Sequence, residues 1–305
     1  MNILIAGASG FIGQALVSAL QKSHRLTVLG RDEEKLASLF PPAIQRVSWD
    51  NLSSLNANDI NAVINLCGHN IAASRWNENI KEKIINSRIV PATTLINWAL
   101  AQSAKPHFYN ASAIGIYGMQ EVNDEEIYAE DSYINYQKPR DFMSEIGIRW
   151  EEALKPAITA GLPVTITRFG VVLQKNDGML KKLKPSFYAG LGSVMGHGKQ
   201  TISWIQIDDL IEAYQFLLNN PKLTGVFNLT SPNPVTQAQF AKSLAKAMHR
   251  PLLLKTPAIV IRALFGEMGE DLILNGQRVV PKRLVENGFS FKFATLDSAL
   301  THEFN

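Results

Sequence analysis

Residues 2–13 read Asn-Ile-Leu-Ile-Ala-Gly-Ala-Ser-Gly-Phe-Ile-Gly: an apolar run that halts at a glycine, with further glycines at every third position, Gly7, Gly10 and Gly13. Asn2 to Ala6 has the length and apolar character of a strand. Phe11 to Leu20 carries apolar residues at helical spacing, and Leu26 to Leu29 is strand-like again. Strand, tight turn, helix, strand is a βαβ unit. Working outward, further apolar runs at residues 44–47, 62–66, 107–111, 163–167 and 226–229 are separated by helical patterns, among them 78–102, 141–160 and 207–218. Continuous apolar strands alternating with helices require a parallel sheet covered on both faces. The fold class expected is therefore α/β, a doubly wound parallel sheet, with residues 1–170 forming the main domain. Residues 171–305 form a smaller C-terminal domain on the substrate side, from which 203–230 returns to the sheet. The Gly- and Lys-rich stretch 174–200 reads as irregular chain crossing the sheet's C-terminal edge, and 236–248 as a helix opened by Thr236.

The glycines acquire meaning from this context, because they follow a strand and open a helix. Gly7 permits the tight turn, Gly10 lets the backbone approach a pyrophosphate at the helix N-terminus, and Gly13 allows the helix to pack closely on the sheet. Phe11 and Ile12, which begin the helix, are grouped with them as cofactor-binding residues of a Rossmann-type dinucleotide site. The second strand ends Leu29-Gly30-Arg31-Asp32. A carboxylate at the ribose favours NAD, whereas an arginine accommodates the 2′-phosphate of NADP. Gly30 leaves room and Arg31 can pair with a phosphate, so NADP is expected and NAD is the alternative; Asp32 is assigned to capping the next helix.

Composition removes other classes. The 305 residues are 46% hydrophobic and 19% charged, with 30 Lys+Arg against 27 Asp+Glu and a formal net charge of +3. Disorder, collagen and coiled coil do not fit, and without a long basic run neither nucleic-acid nor polybasic membrane binding is expected. The single cysteine, Cys67, cannot close an intrachain disulfide, and the six histidines show no zinc spacing, so no metal is expected. No basic residue precedes the glycine-interrupted N-terminal run and no apolar stretch reaches about 18 residues, which argues against secretion or a membrane span and for the cytoplasm. The expected partner is a small molecule. Oligomeric state is left open.

Beyond the glycine turn, Ile64-Asn65-Leu66-Cys67-Gly68, Arg75-Trp76, Asn86-Ser87-Arg88, residues 112–118 (Ser-Ala-Ile-Gly-Ile-Tyr-Gly), Trp150-Glu151 and 168–173 (Arg-Phe-Gly-Val-Val-Leu) form a recognisable series. It continues through Gly198-Lys199-Gln200, residues 203–209 and the tail 276–283. The series resembles one branch of the extended short-chain dehydrogenase/reductases, the epimerase family proteins with an appended C-terminal domain, over nearly the whole chain. The resemblance implies that Leu66, Cys67 and Gly68 lie against adenosine and pyrophosphate, that Arg88 points toward the cofactor, and that Val172 approaches the nicotinamide. Independently of it, Arg88 could pair with Glu82 on the helix surface, Val172 could be core, and Cys67 is most simply a small apolar filler.

Such enzymes usually move a proton with a tyrosine assisted by a lysine one helical turn later, YxxxK, and a serine on the preceding strand. Ser112 fits the serine. No YxxxK occurs, and the helix that should carry it reads Asp141 to Glu151 without either residue. Tyr136 to Arg140 imitates the spacing, but Pro139 spoils the helix and Arg cannot share a proton. Ser112 and Tyr117 remain the catalytic candidates, and Arg75, Trp76, Lys199 and Trp204 are expected to face a cleft suited to a phosphorylated or nucleotide-linked substrate. Asp208 and Asp209 are read as helix-start acids. Two functions follow: an NADP-dependent oxidoreductase or epimerase-like enzyme acting on a sugar, nucleotide-sugar or small carbonyl substrate, or a non-catalytic NADP(H)-binding sensor.

Overall fold

A computed structural model of the chain describes residues 1–122 and 124–305. The apolar runs become seven strands of one parallel sheet: β1 (Asn2–Ala6), β2 (Arg25–Gly30), β3 (Gln45–Ser48), β4 (Ala62–Asn65), β5 (His107–Ala113) and β6 (Val164–Phe169), joined at the far edge by Gly225–Leu229. Their spatial order is 3-2-1-4-5-6 followed by the Gly225–Leu229 strand, and every pairing is parallel. Side chains alternate across a strand, so β1 feeds both faces: Ile3 and Ile5 join one core, Leu4 and Ala6 the other. The first core is closed by Leu16, Val17 and Leu20 of α1 (Phe11–Leu20) and by Leu36 of α2 (Glu33–Leu39). The second is closed by Leu95, Ile96 and Ala99 of α3 (Glu78–Ala101), a helix whose Asn77 caps it by accepting from the Ile80 N–H at 2.9 Å.

The stretch 141–160 is two helices, α4 (Phe142–Glu152) and α5 (Lys155–Thr159); Pro156, which lacks an N–H, stands in the first turn of the second. Residues 174–200 differ from the sequence expectation. After β7 (Val171–Gln174), an eleven-residue helix α6 (Gly178–Tyr188) forms despite Pro185, burying Leu180 and Phe187. Three short strands follow: β8 (Ser193–Met195), β9 (Thr201–Ile202) and β10 (Trp204–Gln206), the last pairing in parallel with β7. Helix α7 (Ile207–Asn219) then packs Leu210, Ala213, Tyr214 and Leu217 into the first core before β11 (Gly225–Leu229) completes the sheet. A third core lies outside the sheet, where α6, Trp204, Phe240 and Leu244 of α8 (Gln237–Ala247), and Leu296 and Leu300 of the C-terminal helix meet. Helix α8 begins with a reciprocal capping box between Thr236 and Gln239.

The outer edge of β11 is occupied. Arg283 donates from Nη1 to the Val226 carbonyl at 2.6 Å and from Nη2 to the Thr224 carbonyl at 2.9 Å, and Glu130 Oε1 accepts the Asn228 N–H at 2.9 Å. Among the described residues no helix is long and apolar enough to cross a membrane.

Candidate functional site

The three glycines have separable jobs. Gly7 has φ +79°, and a Cβ there would lie 2.8 Å from the Leu66 carbonyl carbon. A Cβ on Gly13 would lie 2.5 Å from the Gly7 oxygen, so any side chain would push α1 off the turn. Gly10 is different: its φ is −78°, and a Cβ would meet only the Gly7 oxygen, at 3.3 Å. Its missing side chain therefore leaves open space at the start of α1, where no side chain caps the helix and the first-turn N–H groups of half-buried Phe11 and Ile12 begin without intrahelical partners. Phe11 also reaches the start of α6: a Cβ on Gly178 would sit 3.5 Å from Phe11 Cε1 and 3.3 Å from the carbonyl of half-buried Val172.

At the end of β2 the carboxylates are committed elsewhere. Asp32 caps α2 by accepting from the Lys35 N–H at 3.0 Å, and Glu33 accepts from the Ser48 N–H and Asn51. Gly30 is not empty-sided, since a Cβ there would touch Leu36 side-chain carbons at 3.1 Å and 3.2 Å. Arg31 is exposed and, among the described residues, forms no ion pair or hydrogen bond. Nearby, burial and then the charges of Lys83, Arg88 and Arg31 hold the His69 imidazole below its ordinary range. This end of the cleft thus gathers cations.

Arg88 leans on the end of β4. Its Nη1 donates to the Ile84 carbonyl at 2.8 Å, its guanidinium lies 5.0 Å over the Trp150 ring, and a Cβ on Gly68 would be 3.3 Å from its Cζ. It does not pair with Glu82, which takes a hydrogen bond from Asn86, and its enclosed Nε has no partner. Burial lowers its pKa to about 10, the signature of a cation without a counter-ion. Cys67 packs against the second core, and burial pushes its thiol up to about 12, which makes it an inert filler beside half-buried Leu66.

Ser112 and Tyr117 belong to a closed network instead of an open cleft. Ser112, 1% exposed, donates to Glu151 Oε1 at 2.8 Å; Arg168 clamps the same carboxylate through Nε and Nη2, both at 2.7 Å. Arg168 Nη1 donates to the Tyr117 hydroxyl at 2.9 Å, which donates in turn to Asn228 Oδ1 at 2.9 Å. Tyr117 stacks on Tyr128 with ring centroids 5.2 Å apart, and burial raises its pKa to about 12. The half-exposed neighbour of Ser112 is Ala113, which has no hydroxyl. On α4, Met143 and Gly147 stand one turn apart on the face that meets residues 114–117. A Cβ on Gly147 would lie 2.6 Å from Ile116 Cβ, so a lysine there has no room.

Other expected cleft residues divide. Trp204 is fully buried in the third core, its Nε1 donating to the Asn233 carbonyl at 3.1 Å, so it does not face the cleft; adjacent strand pairing turns it inward. Trp76 packs edge-on against Phe142 at 5.0 Å, while Arg75 is exposed beside Gly266. Asp209 accepts from the Lys292 and Phe293 N–H groups at 2.8 Å and 2.9 Å, tying down the C-terminal segment. Lys199 lines a cavity of about 300 Å³ with Glu121, Asp124, Glu125, Gln200, Thr201 and Arg278 among others. Sequence reasoning placed Glu151 and Arg168 in the recognised series but gave neither a role, and it singled out none of Glu121, Asp124 and Glu125, which offered no signal. No cluster of three or more metal-ligating side chains exists among the described residues.

The sequence profile of the NAD dependent epimerase/dehydratase family matches residues 3–230, and that of a domain of unknown function, DUF1731, matches residues 256–303. Epimerase family protein Mb2239 of Mycobacterium bovis is 37% identical over 302 residues, covering 98% of this chain and 96% of its own. A chloroplastic SDR39U1 homolog of Arabidopsis thaliana is 34% identical over 311 residues, covering 98% and 86%. The crystal structure of human epimerase family protein SDR39U1 with NADPH superimposes with a TM-score of 0.86 at 29% identity, covering 99% of this chain and 98% of that one. With a Rossmann sheet, an intact glycine turn and a match that spans both, the chain belongs to the NAD-dependent epimerase/dehydratase family, as an epimerase family protein carrying the DUF1731 tail.

Proposed function

We propose that the chain binds NADP(H) at the glycine turn and transfers hydride to or from a sugar, nucleotide-sugar or small carbonyl substrate in the adjoining cleft. The observation that carries this reading is Arg88, a cation with no counter-ion and an orphaned Nε, held against Gly68 just past β4, whose Leu66 and Cys67 main chain abuts Gly7 of the glycine turn. A dinucleotide pyrophosphate supplies the missing negative charge. Gly7, Gly10, Gly13, Leu66, Cys67 and Gly68 would form the cradle's backbone, Arg31 would meet the 2′-phosphate beside Gly30, and Val172 would abut the nicotinamide. When bound, the cofactor supplies the hydride chemistry; this chain's residues bind, orient and exclude water.

Arg31 gives the first test. NADPH will raise the melting temperature more than NADH at equal concentration, and Arg31→Ala will remove most of that difference. A larger shift with NADH, or an undiminished NADPH preference in the variant, would reject the 2′-phosphate assignment.

The sensor reading is favoured by the spent hydroxyls of Ser112 and Tyr117 and by a helix α4 without tyrosine or lysine. In the enzyme reading these two are positioning residues, and the proton comes from the substrate's own groups or ordered water. Single-turnover NADPH oxidation over a panel of nucleotide sugars, sugar phosphates and small aldehydes separates the two. Ser112→Ala is expected to keep the rate within about threefold, whereas loss of a general acid costs about 10²–10⁴-fold. A drop of that size in a folded variant would return the hydroxyl to proton transfer, and silence across the panel would select the sensor.

A further inference from the structure

Along α3 the residues Ile80, Ile84 and Arg88 recur at helical spacing on one face, and along α4 Phe142, Ile146 and Trp150 do the same. The first two of each row pack into one apolar cluster between the helices. One turn further along both helices the pattern changes. The apolar pair gives way to a cation over an indole, with the Arg88 guanidinium 5.0 Å from the Trp150 ring.

Trp150 is 5% exposed, yet neither of the usual reasons for burying an indole applies. It joins none of the apolar cores, and its enclosed Nε1 has no hydrogen-bond partner among the described residues. Buried indoles ordinarily find an acceptor for that N–H. What this one offers is the face of its ring, whose negative potential attracts a guanidinium, more strongly where water is excluded.

The guanidinium nitrogens of Arg88 have different surroundings. Nη1 donates to the Ile84 carbonyl at 2.8 Å and reaches the Ser87 hydroxyl at 3.4 Å. That hydroxyl also accepts the His69 N–H at 2.8 Å, so α3 fastens the backbone just past Gly68. Nε is enclosed, whereas Nη2 is not; it makes no hydrogen bond among the described residues and lies 3.5 Å from where a Cβ on exposed Gly68 would stand. The face of the guanidinium rests on the ring, and the free N–H groups of Nη2 open beside the end of β4. A long side chain left to sample several rotamers would lose affinity to ordering when an anion binds.

We propose that Trp150 is a positioning residue for dinucleotide binding: its ring holds Arg88 with Nη2 turned to the cofactor's pyrophosphate. Trp150 and Glu151 are consecutive on α4 and point about 100° apart, and each takes one arginine, Arg88 from α3 and Arg168 from the sheet. A helix without tyrosine or lysine thus serves the cofactor through a cation on its neighbour. The proposal rests on the reading of Arg88 as the phosphate's partner.

Calorimetric titration of the full chain with NADPH tests it. Trp150→Leu should weaken NADPH about tenfold, and Trp150→Phe, which keeps a ring face, by less than about threefold. Trp150→Met, closer in length, gives the same reading should the leucine variant not fold. In an Arg88→Met background, itself weaker by about 30-fold, Trp150→Leu should change affinity by less than about twofold. Urea midpoints of the same proteins without NADPH should be non-additive, the double variant losing less than the sum of the two single losses. Unchanged NADPH affinity in folded Trp150→Leu, an equal loss in Trp150→Phe, or the same loss with Arg88 already replaced would each overturn the proposal, as would additive urea midpoints. Wild-type affinity in Arg88→Met would instead defeat the assignment of Arg88 to the phosphate, and the urea cycle, run without NADPH, keeps that failure apart from a Trp150 that does not hold Arg88.

Discussion

Glu151→Ala is expected to cost about 3–5 kcal/mol of folding free energy, because it strands a buried cation. Arg168 is 2% exposed and Glu151 5% exposed, and the carboxylate holds the guanidinium in a two-point clamp with both contacts at 2.7 Å. The ion pair and its hydrogen bonds hold the Arg168 pKa above its ordinary value against the opposing effect of burial. Removing the carboxylate also leaves the Ser112 hydroxyl without its acceptor. Against a total stability of about 5–15 kcal/mol, that loss is large enough to see directly in urea midpoints. Replacing both partners, Glu151→Met with Arg168→Met, should cost less than Glu151→Ala alone, because no charge is then buried unpaired. A single-variant loss below about 1 kcal/mol would show that the pair is not the anchor its burial indicates.

Gly10→Val should reduce dinucleotide affinity by about 100-fold or more, roughly 2.7 kcal/mol, while the protein stays folded. The backbone at Gly10 is one that valine adopts, and a Cβ meets only one atom, so the branched side chain extends into the open space at the start of α1. Gly13→Ala is the complementary control. Its Cβ would strike main-chain atoms of residues 7 and 8 within 2.7 Å, so that variant should lose stability first and binding as a consequence. Thermal melts with and without NADPH distinguish them: Gly10→Val should keep its melting temperature and lose the ligand shift. A retained shift would remove the glycine turn from cofactor binding.

The sheet was legible because its strands are buried on both faces and so announce themselves as unbroken apolar runs. The glycine turn was legible because only close backbone approach explains that spacing between strand and helix. Helix α6 was missed because its lysines and Pro185 disguise an apolar stripe of Leu180 and Phe187 flanked by half-buried Met179 and Leu183. Trp204 was misplaced because an aromatic residue beside a loop reads alike whether it faces a ligand or a core, and only tertiary packing decides. Ser112 illustrates strand alternation: a shift of one residue exchanges the two faces, and sequence motif alone does not say that Ala113 takes the open side. Arg168 and Glu151 are 17 residues apart on different elements, so their pairing had no local signature, although an arginine inside the strand Thr-Ile-Thr-Arg-Phe was a visible anomaly.

The clamp on β11 bears on how the molecule behaves in a crowded solution. A parallel sheet that ends in bare N–H and C=O groups offers a template for pairing with another chain. Here the outward Val226 carbonyl is taken by Arg283, and the outward Asn228 N–H by Glu130. Arg283 also covers Phe227, with its guanidinium 4.1 Å from the ring centroid. Arg283 of the appended tail and Glu130 of the main domain thus guard this edge together. Splitting the chain after the sheet would yield a fragment prone to self-association, whatever its affinity for nucleotide.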